Sequence, residues 1–265
     1  MSIIQLMGSG DMVPAADAYS AFLTEALPLN FKYGFTDQSF RIRGTGGPAT
    51  VTYTGPAYQP EMVISSLNSK FYGSSAKEPQ TSPAGTTFHV SQLDVDTGAS
   101  NTIGTQNYCY EFWWYSEDFL FASQVNYVLN YNGYGTGGGT GPISGDVPHI
   151  AIKGDNWVNT APYKRGIWVG GGPSTTFFYE TTSQCLLPNT WHHIAVTRSG
   201  TTGRIFVDGQ LQVTGTDSRN YAGYVNTHGV CNRTLGSGMY LQDIRCYVGT
   251  AKYTSNFTVP GPMFL

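Results

Sequence analysis

Residues 189–215 contain three short apolar runs joined by tight turns, and no other part of the chain constrains the fold as strongly. The predicted strands are residues 191–198, 204–207 and 210–213. A glycine-rich loop separates the first two strands, and the Asp208-Gly209 pair between the last two favours a two-residue hairpin turn. The segment therefore predicts an antiparallel meander.

Similar runs recur between residues 70 and 248, while residues 133–145 hold seven glycines and predict a long loop. The other strands predicted in this region are residues 70–73, 86–92, 107–115, 125–132, 149–153, 166–169, 175–180 and 239–248. Many short strands with almost no helix predict two packed antiparallel sheets.

Residues 1–60 differ in their sequence pattern from the rest of the chain. Residues 17–27 place apolar side chains four positions apart, which predicts a short helix that ends at Pro28. Short strands are predicted at residues 31–35, 40–43 and 50–53. We therefore divide the chain into an attachment arm, residues 1–60, which packs on the sandwich or on a neighbouring subunit, and a sandwich domain, residues 61–265.

Three segments carry a resemblance to a known family. Residues 191–198 read WHHIAVTR and lead to IFVDG, residues 111–115 read EFWWY, and residues 249–258 read GTAKYTSNFT. Together they resemble laminin-G-like, concanavalin A-like jelly-roll domains, and the last phrase is similar to the end of such domains in tailed-phage virion proteins. The resemblance covers residues 65–260. It implies an all-β, two-sheet antiparallel jelly-roll sandwich with a short mixed N-terminal arm.

The same resemblance implies a structural virion protein of a tailed bacteriophage. We expect a capsid decoration protein that contacts the major capsid protein or other virion proteins and forms a homo-oligomer, with a trimer favoured. The alternatives are a tail or head appendage that binds a host surface glycan, or a non-catalytic lectin-like carbohydrate-binding protein. Decoration is preferred because the chain shows no heptad segment or repeat that would form a fibre stalk.

Composition limits the partners and the location. Charged residues make up 12% of the chain, against about 25% in an average globular protein, and the formal net charge is −3. No basic run is present, so a nucleic-acid partner is not expected. The chain has no apolar run of about 18 residues, so no membrane partner is expected. The start of the chain lacks a signal-peptide pattern, which predicts synthesis in the host cytoplasm and localisation to the virion.

Catalytic motifs were sought because enzymes also use this type of fold. Glycosidases on the concanavalin A-like scaffold carry E-x-D-x-x-E on one strand, and the chain lacks that motif. Glu111, Glu117 and Asp118 are the nearest acidic cluster, and Glu111 is predicted to be structural. His192 and His193 are adjacent in a predicted strand, so they face opposite sides and cannot grip one metal. The chain is therefore predicted not to be an enzyme.

Sugars stack on exposed aromatic rings and hydrogen-bond to nearby Asn, Asp and glycine-rich loops. The candidate glycan contacts are Tyr131, Tyr134, Trp157 and Tyr163. No cofactor is predicted, although loop carboxylates leave calcium open, the candidates being Asp94, Asp96, Asp146, Asp155 and Asp217. Four cysteines without a CxxC pair favour free, mostly buried thiols, and their even number also permits disulfides; they are Cys109, Cys185, Cys231 and Cys246.

Overall fold

The computed structural model describes residues 17–54, 62–77, 90–119, 125–129, 147–155, 163–171, 176–223, 225–231 and 238–263. Within them the strands are β1 (Leu23–Leu27), β2 (Thr50–Thr54), β3 (Val63–Ser65), β4 (Ser75–Lys77), β5 (Val90–Asp96), β6 (Tyr108–Ser116), β7 (Val125–Leu129), β8 (Pro148–Lys153), β9 (Ile167–Gly171), β10 (Thr176–Glu180), β11 (His192–Ser199), β12 (Thr202–Val207), β13 (Gln210–Thr216), β14 (Val225–Cys231) and β15 (Met239–Val248). The helical elements are α1 (Ser39–Arg43) and two 3-10 turns, Ser20–Phe22 and Ala99–Asn101. None of these helices is long and apolar enough to cross a membrane.

The strands form two antiparallel sheets. The eight-stranded sheet follows the order β13-β12-β11-β6-β15-β4-β3, and β1 also pairs with β15. The seven-stranded sheet follows the order β10-β9-β8-β7-β14-β5-β2. The predicted two-sheet antiparallel sandwich is confirmed.

β6 runs through the middle of the eight-stranded sheet, and its alternate residues fill both faces. Tyr108, Phe112 and Trp114 belong to the main core between the sheets. The intervening residues face away from that core, yet all of β6 is buried. Cys109 packs there with Tyr247 of β15 in a second apolar cluster. The outer face of this sheet is therefore covered by other parts of the chain, and it is not an open platform.

The predicted meander is confirmed as β11, β12 and β13, which pair in succession. Asp208 has φ 48° and Gly209 has φ 77°, the two positive angles that a type I′ turn requires. A Cβ at Gly209 would lie 2.2 Å from the backbone oxygen of Phe257, so this position needs glycine for its space as well as its angle.

The helix predicted at residues 17–27 is wrong. Ser20–Phe22 forms a single 3-10 turn, and the next five residues form β1. The register of β1 with β15 runs from Leu23 opposite Tyr247 to Leu27 opposite Ile244. All five residues of β1 are buried. A strand buried on both faces is apolar without strict alternation, so its spacing can imitate one face of a helix.

Three of the predicted short strands are also wrong. Residues 31–35 form turns, residues 40–43 lie in α1, and residues 70–73 form bends that precede β4. Asn30 explains the first of these, because its Oδ1 accepts hydrogen bonds from the amides of Lys32 at 2.9 Å and Tyr33 at 3.0 Å. Such a local side-chain bond competes with extended backbone.

The described part of the first 60 residues contributes one strand to each sheet. β1 pairs with β15, and β2 pairs with β5 from Thr50 opposite Asp96 to Thr54 opposite Gln92. The strand predicted at residues 50–53 is thus confirmed as β2. The described part of the N-terminal arm packs on the sandwich through backbone hydrogen bonds, and the boundary drawn at residue 60 stays a prediction.

Candidate functional site

Glu111 lies at the centre of a buried ionic cluster on the outer face of the eight-stranded sheet. Its Oε1 accepts a hydrogen bond from Lys252 Nζ at 2.9 Å, and its Oε2 accepts one from the Tyr253 hydroxyl at 2.6 Å. His193 Nε2 lies 3.3 Å from Oε2 and Arg245 Nη1 lies 3.7 Å from Oε1. Burial alone would raise the pKa of Glu111, but Lys252, His193 and Arg245 outweigh it and hold that pKa well below its usual range. Glu111 is therefore an ionised structural residue and is unsuited to act as a general acid.

The closing segment, residues 249–263, covers this cluster. The rings of Tyr253 and Phe257 stack with their centres 3.5 Å apart. The amide of Phe257 donates a hydrogen bond to the carbonyl of Gly209 at 2.9 Å, which fastens the segment to the β12–β13 turn. The phrase that resembles phage virion proteins thus makes contacts within its own domain.

The two adjacent histidines face opposite sides, as predicted. The amide of Leu187 donates to His192 Nε2 at 2.9 Å, so the ring proton is placed on Nδ1, which lies 2.7 Å from Asp208 Oδ2. His193 lies on the other face, against Glu111. Both rings are buried and serve packing and hydrogen bonding.

Of the four candidate glycan contacts, three lie outside the described residues, namely Tyr131, Tyr134 and Trp157. The ring of Tyr163 lies 5.4 Å from Lys153 Nζ. That ammonium group is fully buried and donates hydrogen bonds to the Thr181 carbonyl at 2.7 Å and to Glu180 Oε2 at 3.1 Å. Burial lowers the pKa of Lys153, and the hydrogen bond to Glu180 opposes that shift. Tyr163 thus borders an internal ion pair, and its role in glycan binding stays a prediction.

The carboxylates considered for calcium do not converge. Asp146 lies outside the described residues, and Asp155 pairs with Arg165 at 2.7 Å. Asp217 is buried and accepts a hydrogen bond from the Tyr108 hydroxyl at 2.6 Å. In the ranges that the structure describes, no group of three or more His, Cys, Asp or Glu side chains could hold a metal ion.

Cys109, Cys185 and Cys246 are free thiols, as predicted, whereas the side chain of Cys231 lies outside the described part of the chain. Burial raises the pKa of Cys109 and of Cys246 well above its usual value, and burial raises the pKa of Cys185 to about 11. A thiol reacts as its thiolate, so none of the three is a reactive nucleophile near neutral pH.

A polar cleft of about 320 Å³ opens between the N-terminal segment and the loop after β5. One wall is formed by Thr24, Arg43 and residues 47–50, and the other by residues 96–98 and Asn101. The volume falls at the lower end of the range for small-molecule sites. Because the walls carry hydroxyls, an amide, a guanidinium and a carboxylate, the cleft suits a small ligand that both donates and accepts hydrogen bonds.

Asp37 organises the first wall. Its Oδ1 accepts a hydrogen bond from the amide of Ala26 at 2.8 Å, and its Oδ2 accepts from the amide of Ala49 at 2.8 Å and the hydroxyl of Ser39 at 2.7 Å. Burial raises the pKa of Asp37, and these hydrogen bonds oppose the shift. One carboxyl group thereby ties β1, the start of α1 and the approach to β2 together, and so positions Arg43.

Arg43 enters the cleft from the last turn of α1. Its Nη1 donates to the carbonyl of Leu23 at 2.6 Å and to Ser39 Oγ at 2.9 Å, and its Nη2 donates to the carbonyl of Gly47 at 3.3 Å. All three acceptors are uncharged. Among the described residues, no carboxylate forms an ion pair with this guanidinium.

Asp96 and Asn101 present polar groups from the second wall. Asp96 is exposed, and its Oδ1 accepts a hydrogen bond from the amide of Gly98 at 2.8 Å. The side-chain nitrogen of Asn101 donates a hydrogen bond to the carbonyl of Thr97, and its side-chain oxygen takes no part in that bond. Sequence reasoning missed this site, since Asp96 was weighed only for calcium and Arg43 was placed in a strand. The Asp96-Thr97-Gly98 turn was the one available signal.

Residues 89–236 match the family model of the concanavalin A-like lectin/glucanases superfamily. The chain belongs to this superfamily. The concanavalin A-like jelly-roll fold expected from the sequence is confirmed. Asp96 and Asn101 lie inside the matched residues, whereas Thr24 and Arg43 precede them. The cleft therefore forms where the N-terminal segment packs against the concanavalin A-like domain.

Solved structures with a similar fold include three structures of toxin binding domains. The binding domain of botulinum neurotoxin DC in complex with SialylT has a TM-score of 0.57 and 10% identity, over 86% of this chain and 48% of that one. The same toxin's domain in complex with rat synaptotagmin II has a TM-score of 0.58 and 11% identity, over 87% of this chain and 49% of that one. The botulinum neurotoxin serotype D binding domain has a TM-score of 0.56 and 13% identity, over 87% of this chain and 49% of that one.

At these identities the likeness of the concanavalin A-like chain to the toxin domains establishes the fold alone. The chain spans about half the length of those structures. No curated protein matches it in sequence.

Proposed function

We propose that this protein is a non-catalytic carbohydrate-binding protein whose ligand occupies the cleft between Arg43 and Asp96. The observation that carries the proposal is the lining of the cleft, which brings hydrogen-bond donors and acceptors from the N-terminal segment and from the end of β5 and the loop after it into one cavity. Sugar hydroxyls both donate and accept, so a monosaccharide matches this lining. The superfamily name includes lectins, and one structural neighbour was solved with a SialylT ligand, which supports testing glycans first.

The proposal is binding without cleavage. Glycoside hydrolysis uses two carboxyl groups on either side of the scissile bond, roughly 5 to 10 Å apart. Asp96 is the carboxylate on the described lining of the cleft. Glu111 is occupied by Lys252 and Tyr253 and is buried under the closing segment. A second catalytic carboxylate is thus lacking among the residues that line the cleft.

Capsid decoration, the function expected first from the sequence, stays a prediction. It rests on the closing phrase and on the absence of a fibre-stalk pattern from the sequence. Residues 249–258 are engaged in packing against β6 and the β12–β13 turn. That packing accounts for the phrase without a capsid partner, so we favour the lectin-like alternative. Counting the copies of this chain in purified phage particles tests the virion location, the capsid partners and the trimer. Hundreds of copies per particle would support capsid decoration over the lectin-like alternative.

The carbohydrate proposal is tested by screening the full chain on a glycan array and titrating each hit by calorimetry. Asp96→Ala and Asn101→Ala should each weaken binding about tenfold, since each removes a hydrogen bond to the ligand. Thr214→Ala is the matched control, because Thr214 is exposed on β13 and does not line the cleft. Equal affinity in all four proteins would remove the cleft as the site, and an array without hits would contradict the function.

A further inference from the structure

We infer that the cleft selects a sugar that bears a carboxylate, and that Arg43 is the residue that recognises this group. The inference rests on the proposed carbohydrate binding and adds the chemical class of the sugar. It also assigns the selectivity to the N-terminal segment, which lies outside the residues matched by the superfamily model.

Arg43 differs from the well-paired basic side chains of this protein. Five basic side chains of this protein have a carboxylate within ion-pair distance, namely Lys153, Arg165, Arg198, Arg245 and Lys252. Arg43 is half-buried, yet its described partners are two carbonyls and one hydroxyl. A cation that is partly removed from water gains most from an anionic partner.

The geometry leaves part of the guanidinium available. Of its five N–H donors, three are used by Leu23, Ser39 and Gly47. Those bonds hold the group in one orientation, and Asp37 fixes Ser39 in turn through its hydroxyl. Among the described residues, the remaining two donors, one on Nε and one on Nη2, have no hydrogen-bond partner, so the oriented guanidinium can offer two N–H groups to the two oxygens of one carboxylate.

Asp96, which lines the same cleft from the end of β5, sets the orientation that we expect for the ligand. Its negative charge disfavours a carboxylate nearby, while its acceptor oxygens favour sugar hydroxyls. Arg43 and Asp96 are the charged residues on the described lining. An acidic sugar therefore fits in one direction, with its carboxylate on Arg43 and its hydroxyls toward Asp96.

The test compares each acid with its own methyl ester, which keeps the shape and removes the charge. The probes are methyl α-N-acetylneuraminide and methyl α-D-galacturonide, titrated by calorimetry or ligand-observed NMR. At least one acid should bind the wild-type chain about tenfold more tightly than its ester, and added salt should narrow that gap. Arg43→Gln should remove the preference for the acid over its ester. Arg43→Lys should keep part of that preference, because lysine retains the positive charge but lacks the paired N–H donors of the guanidinium.

Because Arg43 also holds the wall through Leu23 and Gly47, a second variant tests the same idea without touching that wall. Asp96→Asn should raise the ratio of acid affinity to ester affinity a few-fold, because it removes the repulsion of the ligand's carboxylate, whereas any hydrogen bond lost between Asp96 and the sugar hydroxyls weakens acid and ester alike. Circular dichroism and melting temperature check that each variant is folded.

The outcomes separate this inference from the proposed function. If neutral glycans bind in the cleft and the acid and ester bind equally, the carboxylate inference is overturned and carbohydrate binding stands. If acids are preferred but Arg43→Gln keeps the preference in a folded protein, Arg43 is the wrong residue. If neither acid binds with a dissociation constant below about 10 mM and the glycan array shows no hits, both proposals fail.

Discussion

Lys252 Nζ lies 2.9 Å from Glu111 Oε1, and this contact joins the closing segment to the middle of β6. The same ammonium group lies 3.1 Å from Asp17 Oδ2, so one side chain connects the first described residue, the central sheet and the C-terminal segment. Both Glu111 and Lys252 are largely shielded from water. The segments that flank the superfamily domain are thus attached to it by a buried ionic cluster.

Glu111→Gln should destabilise the protein strongly. The substitution removes the counter-charge that Lys252 and Arg245 share, while Asp17 and Asp243 still contact them, so we expect a cost toward the lower end of the about 3 to 5 kcal/mol that follows removal of one partner of a buried pair. Urea unfolding at neutral pH measures the change. Glu117→Gln is the matched control and should cost about 1 kcal/mol, because the described hydrogen-bond donors to its carboxylate are uncharged, namely the Gly238 amide and the Tyr240 hydroxyl. Equal losses would contradict the ionic role of Glu111.

His149→Phe should stabilise the protein, most clearly in mild acid. His149 is 1% exposed on β8, and neither ring nitrogen has a hydrogen-bond partner among the described residues. Burial, followed by the charge of Arg219, lowers the pKa of His149 to about 4 from 6.5. Between those values the unfolded chain binds a proton that the folded chain refuses, so wild-type stability is lost as the pH falls from 6.5 to 4.

Urea unfolding of both proteins between pH 4 and 7 measures this effect. The variant's advantage should grow by up to roughly 3 kcal/mol as the pH falls through that window. An advantage that does not change with pH would show that His149 is solvated or paired in the folded state.

Asp243→Asn should reveal a pH dependence of the opposite sign. Burial raises the pKa of Asp243 to about 6, against the lowering effect of Arg245. The folded chain therefore holds this proton more tightly than the unfolded chain, and the contribution to stability is present below pH 3.8 and lost as the pH rises through 6. The free energy of unfolding of the wild type, minus that of the variant, should fall by up to roughly 3 kcal/mol from pH 4 to 6. A rising difference would refute the raised pKa.

Gly203→Ala should cost at least about 1 to 3 kcal/mol, the range for overpacking a core. Gly203 and Gly215 pair across β12 and β13, and a Cβ would lie 2.5 Å from the Tyr179 ring at the first and 2.4 Å from its Cβ at the second. Tyr179 of the other sheet thus packs directly on bare backbone. Gly47→Ala is the control, since a Cβ there meets no atom within 4 Å. Thermal melts of both variants decide the matter, and a melting temperature unchanged in both would contradict this packing.

Local patterns were enough to identify strands whose alternation and turn residues are clear in the sequence. Residues 239–248 were predicted as a strand and form β15, and the β11–β13 meander follows from alternation and the Asp208-Gly209 turn. The structural reading of Glu111 and the opposite facing of His192 and His193 also came from strand geometry. β6 and β15 pair with each other from distant parts of the chain, so local patterns identified these strands without identifying their partners.

The sequence by itself determined the all-β class, the superfamily and the absence of its glycosidase motif, because alternation and turn chemistry act over a few residues. Only the tertiary structure decided the state of residues 23–27, which become a strand because the edge of β15 supplies their backbone hydrogen bonds. The cleft has the same origin. Arg43 and Asp96 are more than 50 positions apart, and they meet because β2 pairs with β5, with Thr50 opposite Asp96. A site assembled from distant segments leaves no local pattern, since its energy comes from contacts that exist only after the sheets have packed.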